Sequence, residues 1–319
     1  MITKLKGGSL SATYLHQGRE TFIRKTVSLT ENREYGYVRW YSQLKKLQRY
    51  NEMFPGLFPV VLSVGYYDDT AYFDLEYLNG FRDIKTIFSN DTLTNAEISK
   101  INLALWSAFD QLHSTTYLTN PGGAGLYYKE EAEQKLIDAR TVPEFEEFYK
   151  LGNYVYNHQQ VLGLDEYMPR LKEYLLSANL SSEEYIHGNP TLENTMYSSE
   201  QDRVVFIDTY EESIIDSKLL DYSQVLQCSR SHYGYINDRS VQISGNTVSH
   251  NLTVPDNFKV FDYYFEQELV KRNLDLKLID VLEATQFIRM LPFKALAGDL
   301  DKAKYFYVHA CYLLAKAFA

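Results

Sequence analysis

Residues 185 to 212 constrain this chain more than any other stretch. They read Tyr-Ile-His-Gly-Asn-Pro-Thr-Leu-Glu-Asn-Thr-Met from 185 and Val-Val-Phe-Ile-Asp-Thr-Tyr-Glu-Glu from 204. The His187-Gly188 pair leads into a polar residue, Asn189, and Asn194 follows five positions later. The apolar run Val204 to Ile207 has the length and β-branched content of a short buried strand, and it delivers Asp208 at its end. A fold for this chain must hold these polar side chains at fixed steps from one strand.

That order is the one phosphoryl transfer on a kinase scaffold requires. One residue orients the acceptor hydroxyl, an Asn holds one magnesium ion, and an Asp at the end of a strand holds the other. The segment resembles the aminoglycoside phosphotransferase and choline kinase branch of the kinase-like fold, whose loop reads His-Gly-Asp with Asn five residues after the Asp. More narrowly, His-Gly-x-Pro-Thr-Leu-Glu-Asn followed by Phe-Ile-Asp resembles phosphotransferases encoded with bacterial capsule or surface-polysaccharide genes. The departure is at the base position, which holds Asn189. The resemblance implies a cofactor pair of ATP and Mg2+, metal ligands Asn194 and Asp208, and a small-molecule hydroxyl acceptor facing position 189.

At 319 residues the chain is long enough for two lobes. A composition of 45% hydrophobic and 23% charged residues is that of a globular protein. No window approaches the roughly 18 apolar residues of a membrane span, and the first residues, Met-Ile-Thr-Lys-Leu-Lys-Gly-Gly-Ser, lack the apolar core of a signal peptide. A cytoplasmic protein without membrane insertion is expected. The net charge of −10 argues against a nucleic-acid partner and is compatible with a cationic acceptor. Cys228 and Cys311 lack metal-ligand spacing and read as buried free thiols. The 28 tyrosines point to amphipathic packing, with rings inside and hydroxyls reaching water, more than to aromatic cages for cations or sugars.

The amino-terminal part reads as strands. Gly7, Gly8 and Ser9 form a small-residue turn that runs into a strand through Leu15. Gln17-Gly18-Arg19 makes a hairpin turn, and Thr21 to Val27 alternates as its partner. In the resembled family this hairpin covers the ATP phosphates with backbone N–H groups, and Lys25 matches the strand lysine that pairs with the α- and β-phosphates. Arg24 next to it is the competing cation. Residues 31 to 53 have helical periodicity, with Tyr35, Val38, Tyr41, Leu44 and Leu47 as the expected apolar face. The resemblance puts Gln43 where a Glu would pair with the lysine. Gln43 can hydrogen-bond Lys25 but supplies no charge, so a loosely held lysine is expected. Glu34 could substitute only in another register.

Leu62 to Tyr66 and Ala71 to Tyr77 read as an antiparallel pair across Asp68-Asp69. The segment from Leu75 to Gly80 resembles the inter-lobe hinge that meets the adenine edge, with Glu76 and Leu78 as the adenine-side residues. Helices are expected over 98–113, from 219 and over 303–318. His113 is expected to be a core histidine supporting the catalytic loop, and Asp221 matches a family Asp that bonds the loop backbone. Pro121 to Gly125 reads as a mobile loop or a connector. The chain is therefore expected to be α+β, a bilobal protein-kinase-like fold with a small β-rich N-lobe over 1–78 and a larger, mainly helical C-lobe over 79–319.

Three accounts of Asn189 stay open: an Asp-to-Asn replacement in an active kinase, a natural pseudokinase that binds nucleotide or a partner, or an enzyme whose proton acceptor has moved to Glu193 or Glu211. Asn accepts a hydrogen bond from a hydroxyl but cannot take its proton. A metal-hydrolase reading from His187, Asp208 and His232 has no mechanical logic in its spacing.

Overall fold

The computed structural model describes residues 1–5, 11–31, 33–114, 116–117, 122–178, 180, 183–211, 213–238 and 240–319. The Gly7-Gly8-Ser9 turn lies outside the described residues. Strands β1 (Ile2–Leu5), β2 (Ala12–Gln17) and β3 (Thr21–Ser28) come first, then a π-helical turn Arg33–Tyr37 and helix α1 (Val38–Met53). Strands β4 (Val61–Tyr67), β5 (Thr70–Glu76) and β6 (Arg82–Asp83) precede helices α2 (Ile84–Asn90) and α3 (Asn95–Leu112). The middle holds β7 (Thr116–Tyr117), α4 (Gly123–Tyr127), α5 (Gln134–Arg140), α6 (Pro143–Tyr149), β8 (Asn153–Tyr156), β9 (Gln159–Leu162) and α7 (Leu164–Ser177). There follow β10 (Glu183–Glu184), β11 (Thr195–Ser198), β12 (Arg203–Phe206), α8 (Lys218–Ser229), α9 (Tyr233–Asp238), β13 (Gln242–Ser244) and β14 (Thr247–Ser249). Three long helices, α10 (Asp256–Lys271), α11 (Leu276–Leu296) and α12 (Leu300–Ala317), end the chain.

These elements form two compact units. The first gathers Met1–Ile87, Lys100–Ser114 and His187–Ser213, and the second Phe88–Ser99, Thr115–Ile186 and Ile214–Ala319. In the first, an antiparallel sheet of order β1-β2-β3-β5-β4 carries the amino-terminal strands. The β2–β3 hairpin turns at Gly18 as its sequence predicts. The β4–β5 hairpin turns at Asp68, which sits at φ +47°, a left-handed conformation that Asp tolerates better than most residues. A second sheet, β12-β11-β6, holds the strand that precedes Asp208.

Helix α1 corrects the expected apolar face. Its buried residues are Trp40, Leu44, Leu47 and Tyr50, whereas Tyr35, Val38 and Tyr41 are exposed. Three-residue steps drift around a helix of 3.6 residues per turn, so a face counted by threes leaves the core within two turns. The 40, 44, 47 spacing stays on it. Trp40 packs on the β5 residue Phe73 with ring centroids 5.3 Å apart.

The second unit is built from helices, a four-stranded sheet, β13-β14-β8-β9, and the short antiparallel pair β10-β7. Pro121 to Gly125 is not a loop over its described part, because Gly123 to Gly125 open α4 and Gly123 is buried. The tyrosine expectation also changes. Tyr154, Tyr305 and Tyr307 are fully buried, and their hydroxyls bond protein groups. Tyr154 donates to the carbonyls of Phe148 and Tyr149, each at 2.8 Å. Tyr156 and Tyr305 share a 2.8 Å bond, and the Tyr307 hydroxyl accepts from the Leu164 amide at 3.1 Å. Both cysteines are buried free thiols. Among the described residues no helix is long and apolar enough to cross a membrane.

Candidate active site

Strand alternation decides between the two cations of β3. Successive side chains leave a strand on opposite faces. Arg24 forms a bidentate pair with Asp74 at 2.7 and 2.8 Å and stacks over the Tyr72 ring at 3.9 Å. Burial pushes the Asp74 carboxyl up, but Arg24 and the Ser63 hydroxyl hold it below its usual value. Lys25 takes the other face. Its ammonium donates to Gln43 Oε1 at 3.0 Å and forms a short charge-assisted bond to Asp208 Oδ1. The lysine expected to be loosely held is anchored, with its counter-charge supplied by Asp208 in place of a helix Glu.

Gln43 completes a triangle. Its Nε2 donates to Asp208 Oδ1 at 2.9 Å and to the Thr209 carbonyl at 2.8 Å. Burial raises the Asp208 carboxyl, yet the Lys25 charge and the bonds from Lys25 and Gln43 bring it below its ordinary value. The Lys25 side chain is 12% exposed and that of Asp208 40%. Asp208 has φ +59°, in the same left-handed region as Asp68. Such a conformation costs about 1–3 kcal/mol and persists only where surrounding bonds fix it.

His187 links the loop to the strand. The ring is fully buried against Phe58 and Phe206, with centroids 6.2 and 5.3 Å away. Its Nδ1 accepts from the Asn189 amide at 3.1 Å, which makes Nε2 the donor to the Ile207 carbonyl at 2.9 Å. The Tyr210 amide returns to the His187 carbonyl at 3.0 Å. Gly188 lies between them at φ +82°, and a Cβ there would sit 2.9 Å from Ser213 Oγ and 3.1 Å from Tyr210 Cβ. Only glycine fits. His187 is thus a neutral structural link and not a metal ligand. Among the described residues no group of three His, Cys, Asp or Glu could hold a metal by itself.

Asn194 is oriented by its own loop. Its Nδ2 donates to the Asn189 carbonyl at 3.0 Å, and its backbone bonds Thr191 O and Ile207 N. A carbonyl only accepts, so the amide nitrogen is assigned by this bond and Oδ1 is the atom that makes no hydrogen bond among the described residues. Asp208 Oδ1 takes both the Lys25 and Gln43 bonds, which leaves Oδ2 without a hydrogen bond among the described residues. One carboxylate oxygen and one amide oxygen suit Mg2+, which fills its octahedron with phosphate and water.

Helix α1 adds two residues that the sequence reading missed. Arg39 Nε donates to Glu211 Oε1 at 2.6 Å, and Lys46 Nζ donates to the carbonyls of Tyr210 at 2.5 Å and His187 at 3.3 Å. Burial pulls the Arg39 guanidinium down, and Glu211 more than restores it. Positions 39, 43 and 46 share one helix face, beside the buried 40, 44, 47 stripe. That spacing was legible as a polar stripe. Glu193 is ion-paired with Lys85. Both carboxylates considered as relocated bases are therefore committed to cations.

The remaining expected residues fall as follows. The Glu76 carboxylate accepts from the Val60 amide at 3.2 Å, and the Leu78 carbonyl accepts from the Phe81 amide at 3.2 Å. The first caps the sheet and the second tightens the turn that follows β5. His113 stacks on Phe109, which packs on Phe206, and Asp221 is fully buried in α8.

No protein-family profile matches this chain, and no curated protein matches it. Solved structures do, over 134 chains. One is a Thermobifida fusca YX-ER1 protein described as a candidate fructosamine-3-kinase, superposing with a TM-score of 0.52 over 96% of this chain and 93% of that one, at 10% identity. The fold is kinase-like. The amino-terminal part is the β-rich sheet and the carboxy-terminal part is helical, as expected from the sequence. A likeness at that identity carries the fold and leaves chemistry to the residues themselves.

Proposed function

We propose that the chain is an ATP- and Mg2+-dependent phosphotransferase that moves the γ-phosphate to a hydroxyl of a small molecule. The observation that carries this reading is the Lys25–Gln43–Asp208 triangle with Asn194 beside it. It joins a strand lysine and a metal-type carboxylate, with an Asn amide from the preceding loop, within one compact unit. In this reading Lys25 holds the α- and β-phosphates, and Asp208 and Asn194 hold magnesium. Gly7, Gly8 and Ser9 cover the phosphates, and Glu76 and Leu78 border the adenine. A magnesium ion held by these two residues would supply charge neutralisation for the transferring group. The lobe boundary near residue 78 belongs to the same proposal.

Asn189 faces the acceptor in this scheme. Its backbone is tied to His187, Thr191 and Asn194, which fixes where its side chain starts. The side-chain carbonyl can accept from the acceptor hydroxyl and orient it. A loose transition state needs little proton removal before transfer, so orientation and charge neutralisation supply most of the rate. The missing base removes a contribution of roughly 10²- to 10⁴-fold.

The acceptor class we favour is a sugar or an amino-alcohol. The net charge of −10 suits a cationic acceptor, the solved neighbour is described as acting on a fructosamine, and the loop motif resembles surface-polysaccharide phosphotransferases. Asn189 also supports a second reading, a pseudokinase that binds nucleotide or a partner without transfer. Coupled ADP release, measured for the chain and for Asn189→Asp over sugars, glycated amines and amino-alcohols, separates the two. Acceptor-dependent turnover that rises at least tenfold in the Asn189→Asp variant supports the kinase. Nucleotide binding without acceptor-dependent turnover in either form supports the pseudokinase.

A further inference from the structure

The helix position opposite the strand lysine holds Gln43 where the resemblance expects Glu. Its three hydrogen bonds show what the amide does. Thr209 O and the Asp208 carboxylate can only accept, so Gln43 Nε2 must face them, and the Lys25 ammonium can only donate, so Oε1 must face it. Both ends of the amide are chemically assigned. The nitrogen serves two acceptors and the oxygen one donor.

A carboxylate could not do this. Glu at 43 would turn an acceptor toward the Asp208 carboxylate and the Thr209 carbonyl, leaving the carbonyl without its side-chain donor and Asp208 with Lys25 alone. Two carboxylates would then compete for one lysine. The bonds from Lys25 and Gln43 both land on Oδ1, and among the described residues no hydrogen bond reaches Oδ2. Holding the Thr209 carbonyl also fixes the peptide that follows Asp208, whose backbone is in the left-handed region.

We propose that Gln43 is a positioning residue that works as an amide: it bridges Lys25 to Asp208 and Thr209 and sets which carboxylate oxygen faces the metal. Gln43 is then a fitted part of this site and not a weakened Glu. The role assigned to Asp208 rests on the phosphotransferase reading, while the donor–acceptor logic stands without it.

The test is a double-mutant cycle of thermal unfolding without nucleotide or metal, using Gln43→Glu, Asp208→Asn and both together. Gln43→Glu should lower the midpoint by about 3 °C or more. Adding Asp208→Asn should restore most of that loss, because an amide at 208 can donate to a carboxylate at 43 while Lys25 keeps one counter-charge. A residue that only filled space would give no such rescue. An unchanged or raised midpoint for Gln43→Glu, or a double variant that loses the sum of the two single losses, overturns the proposal. If Gln43→Glu does not fold, folding of the double variant supports the proposal and its failure to fold overturns it. The cycle contains no nucleotide, so its outcome is separate from failure of nucleotide binding, which would strike the phosphotransferase reading.

Discussion

The turn around Asp208 and the aromatic core of the helical unit both keep polar groups from bulk water, by opposite means. In the helical unit, neutral hydroxyls meet neutral partners on regular elements: Tyr156 bridges Tyr305 and His309 at 2.8 and 2.7 Å, and all three are buried. Around Asp208 the groups are ionic, the backbone is left-handed, and the carboxylate is 40% exposed. The first arrangement only has to last. The second leaves its side chain part-exposed, which the proposed role as a metal ligand would require. Strain and partial exposure at one carboxylate, set on a rigid scaffold, are what a binding site needs and a core avoids.

The sharpest way to break this comparison is to take a buried carboxylate out of the ion cluster of the helical unit. Arg230 is ringed by Glu266, Asp280 and Glu283, and Glu283 is fully buried and also accepts from Ser231. Glu283→Ala should cost about 3 kcal/mol in urea unfolding, because Ser231 loses its acceptor and Arg230 keeps only the part-exposed Glu266 and Asp280. A loss below about 1 kcal/mol would mean that the cluster is solvated.

Acid titration tests the same unit. Burial pulls His309 down to about 3 and His232 to about 4. The unfolded chain, with histidines near 6.5, then binds more protons than the folded one below that pH. Stability is complete above about pH 6.5 and falls on acidification, by about 1.4 kcal/mol per pH unit for each group. Asp262, pushed up to about 7 by burial, works in the other direction between about pH 4 and 7 and offsets one histidine. Replacing His309 with Gln should flatten the slope of stability between pH 6.5 and 4. An unchanged slope contradicts a buried neutral His309.

Gly188→Ala should have the smallest effect on stability, about 1–3 kcal/mol. The added Cβ would displace Ser213 and Tyr210, so nucleotide binding should suffer more than the unfolding midpoint. Equal losses in both would place Gly188 with the core.

Much of this was legible. The hairpins announced themselves by alternation and by Gly18 and the Asp68-Asp69 pair, and the 187–208 spacing matched a loop and strand that do meet. Lys25, Gln43, Asn194 and Asp208 came from spacing and resemblance, and the structure brings them together. The face of α1 was misread because steps of three overrun the helical period. The partners of the tyrosine hydroxyls were not legible, because Tyr305 reaches Tyr156 from 149 residues away. Nor was the work of Gln43, since it depends on the Thr209 carbonyl and on the left-handed turn at Asp208, neither of which leaves a periodic trace.

The central claim is that Lys25, Asn194 and Asp208 form a metal-dependent nucleotide site. Its direct test is a thermal-shift titration with ATP and GTP, in magnesium and again in EDTA, for the chain and for Asp208→Ala. A ligand at 100 times its dissociation constant adds about 2.7 kcal/mol, so the account predicts a magnesium-dependent rise of several degrees that disappears in EDTA and in Asp208→Ala. A midpoint that does not move with either nucleotide, or a shift that survives loss of the Asp208 carboxylate, would contradict it.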